Sequence, residues 1–171
     1  NNPRVTAVEL DEPVYAVDAE LDNSWGVKRI GAGTVHNGGN YGLGVKIGII
    51  DSGINYTHSD LDGVYVGGYD FVAKDNDPMD VYGHGTHVAG TACAEDNNIG
   101  VVGVAPNCAL YSLRVLNDDG VGSWSSVIAA MDWAVKNSLQ VANLSLGSSK
   151  NPGTAVKTAF DNAEKAGIVI V

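Results

Sequence analysis

Basic residues are scarce in this chain: ten lysines and arginines stand against twenty aspartates and glutamates, a formal net charge of −10. A surface of that sign repels nucleic-acid phosphates and anionic lipid headgroups, so nucleic-acid and membrane-surface functions are set aside. No apolar run approaches the roughly 20 residues needed to span a bilayer. No basic-then-apolar leader is visible either, and any export signal is expected to have been removed already. Cysteine is nearly absent. Cys93 and Cys108 are too few for a disulfide scaffold and lack metal-ligand spacing. They read as two buried free thiols or as one bridge, with free thiols preferred. Internal repeats and low-complexity tracts are missing. The acidic residues are scattered, with short clusters such as Asp75-Asn76-Asp77 and Asp118-Asp119 that read as a solvated surface. What remains is 171 residues, 44% of them hydrophobic, enough for one globular, soluble domain with a substantial core.

Strand and helix signals alternate along the chain. Gly31 to Gly44 reads as a glycine-rich surface connection. Lys46 to Ile50 is a short apolar run ending in Asp51-Ser52-Gly53, as in a buried parallel strand. A helix is expected from near His84, and Ala109 to Leu116 reads as the next strand. The turn-rich Asn117 to Gly122 segment precedes a helix with Val127, Ile128, Met131, Ala134 and Val135 at helical spacing, capped by Ser123 or Ser125. Val141 to Leu146 reads as a strand, Thr154 to Ala166 as a helix stopped by Gly167, and Ile168 to Val171 as a last buried strand. This order predicts a parallel sheet covered on both faces. A chain ending within an apolar strand is expected to be part of a larger domain, because a buried terminal carboxylate is costly.

His84-Gly85-Thr86-His87-Val88-Ala89-Gly90 is an odd way to build a core. Gly85 and Gly90 each weaken a helix by about 1 kcal/mol, and backbone access is the reading preferred for them. In parallel sheets functional groups gather at the carboxyl ends of strands. Asp51, the Asp119 to Gly122 loop and Ser145-Leu146-Gly147 all fall at such ends. His84 could there donate its Nδ1 proton to Asp51 and leave Nε2 free as a base. Two other chemistries fit the residues less well. A phosphoryl-accepting Asp51 lacks a partner acid at Gly53, and a transition-metal set of His58, Asp60, His84 and His87 leaves the glycines unexplained.

Five local motifs then occur in order: Ile49-Ile50-Asp51-Ser52-Gly53-Ile54, His58-Ser59-Asp60-Leu61, the His84 to Gly90 segment, Ile99 to Pro106, and Asn143-Leu144-Ser145-Leu146-Gly147. Each resembles the corresponding motif of the subtilisin-like serine proteases, from about Trp25 to Val171. The resemblance implies an α/β fold of three layers, a mostly parallel sheet with helices on both faces, incomplete at the C-terminus. It implies a serine endopeptidase in which Asp51 orients His84 as general base. His87 is expected to pack in the helix. Gly120, Val121 and Gly122 resemble the segment that pairs with one side of an extended polypeptide substrate, and Ser145, Leu146 and Gly147 the segment on the other side. Trp124 matches the aromatic rim of an apolar substrate pocket, with ordinary helix packing as the alternative.

The departures from the family carry equal weight. No Gly-Thr-Ser-Met-Ala-like nucleophile motif is present, and the oxyanion asparagine would follow Val171. The C-terminal remainder of the domain is thus the expected partner, and this chain alone is expected to be inactive. The alternative is a catalytically inactive peptide-binding module. Calcium is the cofactor the resemblance implies, held by side-chain oxygens of Asp60 and Asn97 and carbonyls of Glu95, Ile99 and Val101. Leu21, near the family's N-terminal ligand position, cannot serve, so Asp22 or a water is expected to substitute. Residues 1 to 18 resemble the end of an inhibitory propeptide, with processing between Tyr15 and Asn23, and residues 19 to 171 the N-terminal portion of the catalytic domain. The family implies a secreted, extracellular enzyme. Glycosylation patterns at Asn55 and Asn143 are treated as chance.

Overall fold

The computed structural model describes residues 19–149 and 152–171. The proposed propeptide remnant lies outside them. The elements run α1 (Ala19–Asn23), α2 (Trp25–Arg29), α3 (Ala32–Asn37), β1 (Lys46–Asp51), β2 (Tyr65–Asp70), α4 (His84–Cys93), β3 (Ala109–Arg114), α5 (Trp124–Lys136), β4 (Val141–Asn143), α6 (Thr154–Lys165) and β5 (Val169–Ile170). The strands form one sheet in the order β2-β3-β1-β4-β5, and every pairing is parallel.

The centre of that sheet is β1, whose isoleucines suit a strand covered on both faces. Its alternation decides which side chain meets which layer. Ile47 and Ile49 pack with Leu110, Ala89 and Cys93 under α4. Ile50 packs with Leu113, Val115 and the buried faces of α5 and α6. Helices therefore cover both faces, giving the three-layer α/β arrangement that the alternation of elements predicts. Helix α5 starts where Ser123 caps it, its hydroxyl accepting the Ser126 amide at 3.3 Å. Helix α6 gives way at Gly167, whose φ of +91° suits a residue without a side chain.

The local structure departs from the sequence reading at three places. The Gly31 to Gly44 connection contains α3. Strand β2 went unforeseen because Gly67 and Gly68 dilute its strand signal; a Cβ on Gly68 would lie 1.9 Å from the Ser112 carbonyl oxygen, so the glycine is needed for β2 to pair with β3. Strand β4 stops at Asn143 and not Leu146; among the described residues 144–146 make one ladder bond, from the Leu144 amide to the Val171 carbonyl.

The cysteines are also corrected: Cys93 and Cys108 form a disulfide, with Cα atoms 6.3 Å apart. The cause is the turn between them. Amides of Gly103 and Ala105 bond carbonyls of Ala94 and Ala92 at 2.8 Å each, folding the chain back onto the end of α4 as it enters β3. A bridge between residues 15 positions apart restricts the unfolded chain by about 3 kcal/mol. Cys93→Ala/Cys108→Ala is expected to lose about that much, read as a lower urea midpoint. An unchanged midpoint contradicts the bridge.

Candidate active site

Asp51 shares the parity of Ile47 and Ile49, so its side chain points toward α4, where it is fully buried. Gly85 allows α4 to approach. A Cβ there would lie 2.2 Å from the Gly53 carbonyl oxygen and 3.1 Å from the Asp51 Cβ. Close packing against β1, more than backbone access to a ligand, therefore explains this glycine. His84, the first residue of α4, consequently lands on Asp51, with Nδ1 2.7 Å from Oδ1. The same oxygen accepts the Ser52 amide at 2.7 Å. The imidazole is 42% exposed and the carboxylate 0%. A carboxylate accepting the Nδ1 proton fixes the tautomer in which Nε2 carries the free lone pair.

A second carboxylate braces the first turn of α4. Asp80 Oδ1 accepts the Ser52 hydroxyl and the Gly83 amide, both at 2.9 Å, and Oδ2 accepts the Thr86 amide at 2.9 Å and its hydroxyl. Ser52 Oγ in turn accepts the Gly85 amide at 2.9 Å. The residue before α4 is Gly83, which offers no side-chain cap. Asp80 and Ser52 satisfy the helix's orphan amides instead. Sequence reading missed both; an acid four residues before the helix start was the available signal. It also missed Arg114, which ends β3 and donates to Asp70, to Asp118 Oδ1 at 2.6 Å and to the Ser52 carbonyl at 3.2 Å.

Because β1 lies between β3 and β4, the loops leaving those strands flank Asp51 on either side. Between them is a cleft of about 490 Å³ lined by His84, by Gly120 to Trp124, and by Ser145 to Ser148. The predicted substrate segments, Gly120-Val121-Gly122 and Ser145-Leu146-Gly147, thus face one another across the space that His84 borders. Asn117 builds the first segment, its Oδ1 accepting the Val121 amide at 2.9 Å and the Asp119 amide at 3.1 Å. Gly120, at φ +74°, would place a Cβ 2.7 Å from the Tyr82 ring, and Gly122 one 2.3 Å from the Val115 carbonyl oxygen. The left-handed backbone demands the first glycine, and packing against fixed backbone demands the second. Gly147 has nothing within 4 Å of a built Cβ and is open. Trp124 is half-buried and borders the same cleft. A larger cavity, about 550 Å³, opens between α2 and α4 beside His58 and His87. It includes neither Asp51 nor His84.

On the far side of α4, Asp60 is buried and its Oδ2 accepts the Val101 amide at 3.1 Å. Asn97 donates to the Ser59 carbonyl at 2.8 Å and accepts the Ile99 amide at 3.2 Å. The Glu95 amide donates to the Asp60 carbonyl at 2.9 Å, and the Glu95 carboxylate accepts the Gly63 amide at 2.7 Å. Asp60, Glu95, Asn97, Ile99 and Val101 are therefore gathered around one loop. Among the described residues no three His, Cys, Asp or Glu side chains converge as a metal cage. Asp22, the expected substitute ligand, pairs with Lys28. Glu20 is the acid that meets the loop. It is buried beside Asp96 and the amides of Asn97 and Ile99, and desolvation, followed by Asp96, raises its carboxyl above the ordinary range.

The fold and the site together define an α/β protein with a carboxylate-held imidazole at a strand tip, beside a cleft walled by two extended segments. Residues 42–171 match the model of the subtilase family. The chain is 43% identical over 174 residues to an alkaline protease of Alkalihalobacillus alcalophilus, covering 98% of this chain and 45% of that protein. It is 47% identical over 147 residues to subtilisin DY of Bacillus licheniformis, covering 86% and 53%. Among solved structures, a cold adapted subtilisin-like serine proteinase superposes with a TM-score of 0.69 at 40% identity, covering 77% of this chain and 46% of that one. The chain belongs to the subtilase family, and it spans about half the length of these relatives.

Proposed function

We propose that this chain is the N-terminal half of a serine endopeptidase, in which His84 is the general base and Asp51 orients it. The observation that carries this is the 2.7 Å contact between Nδ1 and Oδ1 at the edge of the cleft. The attacking serine and the oxyanion asparagine are supplied by the remainder of the domain. His84 Nε2 takes the serine hydroxyl proton as Oγ attacks the peptide carbonyl, then returns it to the leaving amine, while Asp51 stabilises the imidazolium formed between the two steps. An extended polypeptide substrate lies between Gly120-Val121-Gly122 and Ser145-Leu146-Gly147, pairing through backbone groups. Trp124 borders the apolar end of that groove. The propeptide, assigned to residues 1 to 18, acts as inhibitor before processing.

Calcium fits the loop around Asp60. The donors there are hard oxygens: the Asp60 carboxylate, the Asn97 amide oxygen and the carbonyls of Glu95, Ile99 and Val101. The loop is wrapped so tightly that a Cβ on Gly100, at φ +59°, would lie 2.2 Å from Asp60 Oδ2. The ion's chemistry there is structural, holding the end of α4 and the loop together. Secretion is the proposed location. The Cys93–Cys108 bridge suits an oxidising compartment, and no described helix is long and apolar enough to cross a membrane.

The test is active-site labelling. The intact protein containing this chain is expected to react with a fluorophosphonate probe at one serine outside this chain, and His84→Ala is expected to abolish that labelling. An intact protein that binds peptides yet never labels is instead an inactive binding module.

A further inference from the structure

Glu20 is the one acid of the first helix whose carboxyl is buried, and among the described residues its Oε1 has no hydrogen-bond partner. An acidic oxygen in that condition is unfavourable unless a cation or donor meets it. Among the described residues the groups around it supply no positive charge. Asp96 is a second carboxylate, and the other neighbours are the amides of Asn97 and Ile99. Lys28, a cation of the adjoining helix α2, is engaged by Asp22. The same stretch is docked on the loop by two further bonds, from Asn23 Nδ2 to the Gly100 carbonyl at 3.0 Å and from the Val102 amide to Ser24 Oγ at 3.0 Å. Glu20 is thus held against the loop, its carboxyl met by the amides of Asn97 and Ile99, while Oε1 is left without a partner and no cation among the described residues faces it.

We propose that Glu20 is a calcium ligand, supplying from α1 a carboxylate to the loop formed by residues 95–101. The inference rests on the calcium reading of that loop and specifies a contributor that the resemblance did not supply. Oε1 is the ligating atom. Binding ties α1 to the loop that follows α4, so the helix carrying His84 and the start of the described chain are fastened by one ion. A carboxylate added to that of Asp60 makes the ligand set more anionic, and the charge of the ligand set tunes calcium affinity.

The experiment is a calcium titration of the intact, chelator-treated protein by isothermal calorimetry, with the calcium-dependent rise in thermal midpoint as a second readout. Both are read in His84→Ala protein so that self-digestion does not interfere. Glu20→Ala is expected to weaken calcium about tenfold or more, and Glu20→Gln, which keeps a neutral oxygen, to fall between it and the parent. Asp60→Asn is the reference. If Asp60→Asn weakens calcium and Glu20→Ala does not, the Glu20 assignment is wrong while the loop site stands. If neither changes the titration, the calcium reading of the loop is itself overturned.

Discussion

His84→Ala in the intact protein is expected to lower turnover on a fluorogenic peptide by about 10⁶, the magnitude established on subtilisin for loss of the base or the nucleophile alone. The geometry explains why the loss should be so large and why it should fall on kcat. His84 borders the cleft, but the groups proposed to pair with substrate belong to the loops leaving β3 and β4. KM should therefore change little. Asp51→Asn should cost less, about 10⁴, because Nε2 survives but the tautomer is no longer enforced. The double variant should be no slower than His84→Ala, since the carboxylate acts only through the imidazole. A single-variant effect below about 100-fold at either position, or additive losses in the double, would remove the assignment of the two as one catalytic unit.

Much of this site could be read from the chain because it is carried by local motifs with a defined order. The apolar run Lys46 to Ile50 marked a strand and put Asp51 at its end. The small residues after His84 marked the element that approaches it. The contacts that brace the pair were harder to see, because each joins positions distant in sequence. Asp80 reaches Ser52 across 28 positions and Arg114 reaches Asp70 across 44, and neither pairing leaves a periodic signal. The reason for Gly122 was likewise hidden, since it lies in the Val115 carbonyl it packs against. The disulfide escaped because a turn, and not the spacing of Cys93 and Cys108, brings them together. Glu20 escaped for a related reason: the resemblance directed attention to Leu21 and Asp22, whereas it is Glu20 whose carboxyl reaches the loop.

Arg114 shows how far the support of the site extends beyond its reacting groups. Its guanidinium is about nine-tenths buried and meets the nearly inaccessible Asp70 carboxylate at one end and the exposed Asp118 at the other. Removing only the cation strands a buried anion, which costs about 3–5 kcal/mol, whereas an exposed pair contributes about 1 kcal/mol or less. Arg114→Met is therefore expected to lower unfolding stability by about 3–5 kcal/mol, and Asp118→Asn by less than about 1 kcal/mol. The Arg114→Met/Asp70→Asn double variant removes the stranded charge while keeping an oxygen for the amides of Val72 and Ala73, which Asp70 Oδ1 accepts at 2.6 and 2.9 Å. It should recover a large part of the loss. These values are to be read from urea midpoints in a His84→Ala background, where self-digestion cannot distort the transition. Arg114 also donates to the Ser52 carbonyl, one residue from Asp51. The single variant in the otherwise active protein should consequently lower kcat even at temperatures where it remains folded. If Arg114→Met proves as mild as Asp118→Asn, the ion pair is not the clamp that holds the end of β3 to the end of β2, and the alignment of Asp51 must come from β1 alone.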